Sequence, residues 1–301
     1  RRGTKLRQTR RYRLGVLLSE QTDHLVLATA TPHKGDPENF RLLLQLLDPD
    51  LFANTEILAQ AVQQQETPIF LRRLKEDMVD FDGAPLFLPR QVRTLGVELT
   101  QPEQNLYEAV TDYVADMFNR ALAEDNRNVT FALIILQRRL ASSIRAIRRS
   151  LENRRDRLAA LQADIVANPQ FLEAARRGDE VTPDNLDDAA EGDRWEAEEH
   201  ALRYTLARNL DELEAEIAML DELAQTARAV EEAGPERKLN ELRQVIEQIE
   251  LFRTGEKLLI FTESKDTLDY LVENLTQWGL TVTTIDGTMP QVARQQAETD
   301  F

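Results

Sequence analysis

Apolar positions fall into three successive patterns along the chain. In the first, His24-Leu25-Val26-Leu27-Ala28-Thr29-Ala30 is a short, nearly continuous apolar run of the kind that fills a buried strand. It leads into Thr31-Pro32-His33-Lys34-Gly35-Asp36-Pro37, where two prolines and a glycine predict a loop. Asp36 is placed to cap a helix with Pro37 at its first position. Phe40, Leu43, Leu44 and Leu47 then share one face until Asp48-Pro49. A second helix is predicted over 55–65, a loop or hairpin over 80–89, and a strand over 91–99, where side chains alternate. Thr100 followed by Glu103 predicts a capping box and opens the helical middle of the chain.

The second pattern is helical throughout. Leu136, Leu140, Ile147, Leu151, Leu158, Leu161 and Ile165 form one seam, interrupted by Ser143 and Arg154. Leu206, Leu210, Leu213, Ile217, Leu220, Ala224 and Ala227 form a cleaner one, with spacings alternating four and three, as in knobs-into-holes packing. Gly234-Pro235 ends it. In the third pattern an amphipathic helix over 238–252 precedes a continuous apolar strand over 257–261. A polar turn, a helix opened by Ser264 and ended by Gly279, and a second strand over 280–285 follow. Strand, helix and strand at that spacing predict a right-handed parallel βαβ unit.

Charge sharpens the middle section. The net charge is −16, but residues 1–20 hold seven basic and one acidic residue. Residues 134–157 hold eight arginines against Glu152 and Asp156, and residues 176–236 hold six arginines against 19 acids. The simplest arrangement is an antiparallel helical hairpin with opposite charges facing. The arginines at 138, 139, 145, 148, 149, 154, 155 and 157 either track phosphates or, more plainly, pair with the acidic helix or are simply solvated. The plainer reading is favoured, and the absence of interleaved aromatic residues argues against base stacking. Trp195 reads as a packing anchor. The absence of cysteine excludes disulfides, thiolate metal sites and cysteine nucleophiles, and three scattered histidines predict no metal site. No apolar run is long enough to cross a membrane, and the first residues lack the apolar stretch of a secretory signal, so a cytoplasmic location is expected.

Four stretches stand in one order: Leu25-Val26-Leu27-Ala28-Thr29-Ala30-Thr31-Pro32, Phe70-Leu71-Arg72-Arg73-Leu74-Lys75-Glu76-Asp77-Met78, Lys257-Leu258-Leu259-Ile260-Phe261-Thr262-Glu263-Ser264, and Ile285-Asp286-Gly287-Thr288-Met289, with Arg294 and Phe301 after the last. Together they resemble the Swi/Snf-type ATPases, double-stranded-DNA translocases of helicase superfamily two. His33-Lys34-Gly35-Asp36 is similar to the bacterial branch, which holds RapA-like and DISARM-like helicase proteins. The resemblance covers about residues 22–110 and 236–301. It implies an α/β fold with a large all-α insertion: parts of two RecA-like lobes joined by a long antiparallel, coiled-coil-like hairpin. The expected divisions are 1–99 (end of the first lobe and junction), 100–235 (helical insertion) and 236–301 (start of the second lobe).

The resemblance also implies roles. Thr29, Ala30, Thr31, Arg72, Arg73 and Lys75 would couple nucleotide state to DNA grip, and Thr262, Ser264, Asp286, Gly287 and Thr288 would contact the DNA backbone. Plainer readings stand beside these: a strand-to-helix turn at Thr29 and Thr31, a solvated basic turn at Arg72, Arg73 and Lys75 or its pairing with Glu76 or Asp77, a helix cap at Ser264, and an Asp-Gly turn. The chain has no Gly-Lys pair, so no phosphate loop. By resemblance the loop and the Asp-Glu box lie upstream of Arg1 and the arginine finger beyond Phe301. The expectation is therefore a chain with no catalytic or metal residues of its own. ATP and magnesium would be cofactors of the parent enzyme and double-stranded DNA its partner. The alternative is a non-catalytic acidic helical module that docks a protein partner on the hairpin.

Overall fold

The computed structural model describes residues 10–29, 37–49, 56, 71, 74–87, 89, 92–177 and 191–301. It divides into two compact units, Arg1–Arg93 and Thr94–Phe301.

In the first unit, helix α1 (Arg10–Gln21) and helix α2 (Pro37–Leu44) are the longest described elements. Among its described residues Leu44 and Leu46 are buried, and α1 approaches this region closely. A Cβ added at Gly15 would stand 2.9 Å from Leu46 Cδ1, so a side chain there would force Leu46 to move. Past the 3-10 turn Lys75–Asp77, Val79 and Pro85 form an isolated antiparallel bridge. Asp80 Oδ1 accepts from the amides of Asp82 (2.9 Å) and Ala84 (2.8 Å), and Gly83 supplies the positive φ of 81° that the turn requires.

The second unit is a helical bundle with a smaller helical layer docked on it. Its elements are α3 (Gln101–Ala123), α4 (Arg127–Ser142), α5 (Ile144–Ala167), α6 (Gln170–Arg177), α7 (Glu191–Ala201) and α8 (Leu210–Glu232), followed by α9 (Arg237–Gln248), α10 (Leu251–Thr254), α11 (Lys265–Gln277) and α12 (Gln291–Asp300). Thr100 and Glu103 close the capping box that starts α3: Glu103 Oε2 accepts from the Thr100 amide at 2.7 Å. Ser143 ends α4 and begins α5 in extended backbone, its Oγ accepting from the Ala146 amide at 3.1 Å. One continuous core, including Leu106, Leu136, Ile147, Leu158, Leu206 and Leu220, joins α3, α4, α5 and α8. A second, smaller core of Ile246, Leu251 and Leu275 lies in the 237–301 layer.

Helices α5 and α8 run antiparallel, as the order of their ion pairs shows: Arg145 with Glu231, Arg228 with Glu152, Arg155 with Asp221. At the centre lies a closed polar network. Arg154, fully buried, donates to Glu216 Oε1 (2.7 Å), Tyr113 Oη (3.1 Å) and the Leu202 carbonyl (3.1 Å). Tyr113 donates to Glu216 Oε1 at 3.1 Å and Thr205 to Oε2 at 2.6 Å. Desolvation opposes the Arg154 charge, but Tyr113 and Glu216 outweigh it and hold its pKa above the ordinary value.

Two expectations are corrected. The first is the α/β fold. Among the described residues there is no strand and no sheet, only the isolated bridge, so the RecA-like lobes are not there. Residues 24–29 form no helix or strand and are mostly exposed, Val26 to 89%, and 92–99 likewise form none, with Val92 and Leu95 exposed. Residues 257–261 and 280–285 form no strand either, and only some of their side chains turn inward: Leu258 of the first, Leu280 and Val282 of the second, all against the small core. Phe261 (88%) and Leu259 (65%) point to solvent. A parallel strand needs ladder partners beside it and cover on both faces. Here helices cover only some side chains of each run, and the apolar runs form no ladder. The second correction concerns the hairpin. Helices α5 and α8 do run antiparallel with opposite charges facing, but α3 and α4 pack with them into one bundle, so they are not a two-helix coiled coil. Leucine seams record burial against a neighbour, and several neighbours satisfy them as well as one.

Candidate nucleic-acid interface

The helical layer meets the bundle along α4 and the start of α5. Glu103 Oε1 accepts from the Arg237 amide at 2.7 Å, and Glu236 Oε2 from the Ile144 amide at 2.8 Å. Burial pushes the Glu236 carboxyl up from its usual range. Lys238 Nζ donates to Tyr107 Oη (2.8 Å) and the Ala141 carbonyl (2.6 Å). On the α11 side, Thr267 Oγ1 shares hydrogen bonds with Ser142 Oγ (2.7 Å) and Ser143 Oγ (2.8 Å). Arg149 pairs with Asp266 at 2.6 Å, and Arg145 reaches Glu273 and stacks 4.6 Å from the Tyr270 ring centre.

Between these contacts opens a cleft of about 580 Å³. Ile135, Leu239, Leu242 and Leu271 form its apolar floor; Arg138, Arg139, Glu198, Lys238, Thr262 and Ser264 bring its polar groups. The turn over 262–264 is positioned by the segment before it, tied down at Leu258, and by α11 after it. Its Ser264 does not cap α11 through its side chain. Instead the buried Ser264 Oγ accepts from Arg139 Nη1 at 2.6 Å. Arg139 Nη2 also donates to Glu198 Oε2 at 2.9 Å, while Arg138 donates to Glu198 Oε1 (3.3 Å) and to Glu263 Oε2 (2.6 Å). The hydrogen bond from Arg138 holds the Glu263 carboxyl below its usual range.

The turn over 286–288 lies close by. Asp286 Oδ1 accepts from the Thr288 amide (2.8 Å) and hydroxyl (2.6 Å), which lowers the Asp286 pKa, and the charge of Lys265 adds to the effect. A Cβ on Gly192, in the first turn of α7, would stand 3.9 Å from Thr288 Cγ2. Lys265 Nζ lies 5.6 Å from the Trp195 ring centre, so α7 borders both turns. Trp195 is only half-buried.

Of the residues singled out in the sequence, Thr262 and Ser264 share the cleft, and Asp286, Gly287 and Thr288 form the neighbouring turn. Thr29 and Lys75 belong to the first unit: Thr29 exposed in a segment without helix or strand, Lys75 exposed with its Nζ 5.3 Å from the Phe87 ring centre. Ala30, Thr31, Arg72 and Arg73 lie outside the described residues. The helix predicted over 55–65 does too, apart from Glu56. All eight arginines of the basic helical stretch are ion-paired with acidic side chains, Arg157 with Glu199 for example. Glu198 and Thr267 escaped sequence reasoning. Neither carries a local signal; one sits in an acidic run and the other in an ordinary amphipathic helix.

Among the described residues no group of three His, Cys, Asp or Glu side chains is placed to hold a metal ion. No helix among them is long and apolar enough to cross a membrane. Residues 237–301 match the family model described as the helicase conserved C-terminal domain. This match supports a helicase-superfamily member and suggests a nucleic-acid-related function. No curated protein and no solved structure matches the chain.

Proposed function

We propose that this chain supplies backbone contacts to an ATP-driven double-stranded-DNA translocase of the Swi/Snf type, in its bacterial branch. The observation that carries the reading is a coincidence of place. The matched segment contributes Thr262 and Ser264 to a cleft whose opposite wall brings Arg138 and Arg139. Guanidinium groups and hydroxyls are the donors that phosphodiester oxygens take, without regard to base sequence. The order of the Thr29–Thr31, Arg72–Lys75, Thr262–Ser264 and Asp286–Thr288 motifs supports the same reading.

The residues present do not fit ATP and magnesium. The chain has no Gly-Lys pair, and among its described residues no carboxylate cluster can hold the metal. In this reading nucleotide is held by groups other than these, and the chain's part is to grip DNA. The test is the salt dependence of duplex binding. Binding should be independent of sequence and fall steeply with salt. Arg138→Ala, at a half-exposed rim position, should weaken it on every duplex and flatten the log–log salt slope by about one. Sequence-selective binding, or binding insensitive to both salt and Arg138, refutes the reading.

A further inference from the structure

Helix α7 docks without the usual apolar stripe. Its sequence carries one large apolar residue, Trp195, and that ring is only partly covered. Among its described side chains, the one buried ahead of Ala201 is the Glu198 carboxylate. Glu198 accepts from Arg139 and Arg138 and faces Arg194 Nε at 3.8 Å. On the same helix, Arg194 Nε and Trp195 Nε1 are buried without a hydrogen-bond partner. A surface helix ordinarily docks through apolar side chains, and buried donors are ordinarily matched. An attachment made of ion pairs that leaves donors unmatched is one whose cations a competing anion can take over.

The donors around Glu198 are those a phosphodiester uses. Two guanidinium groups converge on one carboxylate, and the second of them also grips the Ser264 hydroxyl. Carboxylate and phosphate oxygens are interchangeable partners for such a fork. The flanking turns, 262–264 and 286–288, both lie against α7.

We propose that Arg138, Arg139 and Ser264 form a phosphate site for duplex DNA, which Glu198 fills in the closed chain and which opens when α7 lifts away. This inference rests on the reading of the cleft as a DNA interface. It adds that the chain carries its own competitor for the site. Binding of DNA then requires displacement of α7, with Trp195 passing from a half-buried to an exposed setting.

The test is fluorescence anisotropy of a fluorescein-labelled mixed-sequence duplex with the full chain in three forms. Glu198→Gln removes the competing charge and should bind about tenfold more tightly than the parent, the gain expected when a closed state favoured about ten to one is released. The double variant Gly192→Cys/Thr288→Cys pairs two positions that face each other, in a chain with no other cysteine. Its oxidation should pin α7 to the turn and weaken binding by about tenfold or more, and reduction should restore it. If Glu198→Gln loses helical signal, the oxidised-against-reduced comparison decides, because it sets one protein against itself. Failure of the cysteines to cross-link overturns the closed docking of α7. Equal binding by the parent, Glu198→Gln and the oxidised form overturns the proposal and leaves the DNA reading standing. Absence of duplex binding in every form overturns both.

Discussion

Replacing one member of the Arg154–Glu216 pair should unfold much of the bundle's stability margin, while replacing both should not. Both side chains are sealed in the core, at 0% and 3% exposure, and every strong donor and acceptor between them is matched. Glu216→Met strands a guanidinium that cannot shed its proton, and Arg154→Met strands a carboxylate. Breaking a buried pair in this way costs about 3–5 kcal/mol. Against a total stability of about 5–15 kcal/mol, either variant should sit near the edge of folding. Were the two losses additive, at about 6–10 kcal/mol, the double variant would be unfolded. Because each single loss is mainly the burial of an orphaned charge, Arg154→Met/Glu216→Met should instead lie within about 2 kcal/mol of the parent. Urea denaturation followed by circular dichroism reads the cycle. With a slope of about 2 kcal/mol per molar urea, each single variant should lose about 2 M from its midpoint. The double variant should regain most of that. A double variant no more stable than its worse single parent refutes the reasoning, and shows that Arg154 and Glu216 act separately.

Two further predictions concern charge and chemistry. Glu236 is pushed above its ordinary value of 4.5, so its ionisation in the folded chain costs stability as pH rises through that raised value. Glu152, Glu231 and Glu263 are held below theirs; they contribute stability above the ordinary carboxylate range and lose it as pH falls through their lowered values. Glu236→Gln keeps an acceptor for the Ile144 amide. Its thermal midpoint relative to the parent should therefore rise from acid to neutral pH, and a relative fall would mean that Lys238 makes the charge stabilising. The purified 301-residue chain should show no magnesium-dependent ATP hydrolysis with or without duplex DNA, since it holds no Gly-Lys pair. Turnover above a no-protein control in a coupled phosphate assay refutes that.

Sequence by itself determined the local features whose physics is local. Thr100 and Glu103 stand three residues apart, so their capping box was readable, and it forms. Ser143 interrupts a leucine seam because it both stops one helix and caps the next. The opposed charges of the Arg-rich and acidic stretches made ion pairing the favoured reading, and Arg145, Arg148 and Arg155 meet Glu231 and Asp221. Tertiary structure decided what those segments became. An apolar run such as 257–261 states that side chains seek cover, but cannot state how many find it; here Leu258 does, and the run forms no ladder. Arg154 read as a break in an apolar seam, and only the convergence of Tyr113, Leu202 and Glu216 from distant positions makes it a core residue. The cleft follows the same rule. Ser264 was visible as a turn residue, but its partner Arg139 lies 125 positions away along the chain, and Glu198, which shares Arg139 with it, lies 66 away, where no local signal reaches. Hydrogen bonds and burial act through space, and only the packing of α4, α7 and α11 brings these side chains into one site.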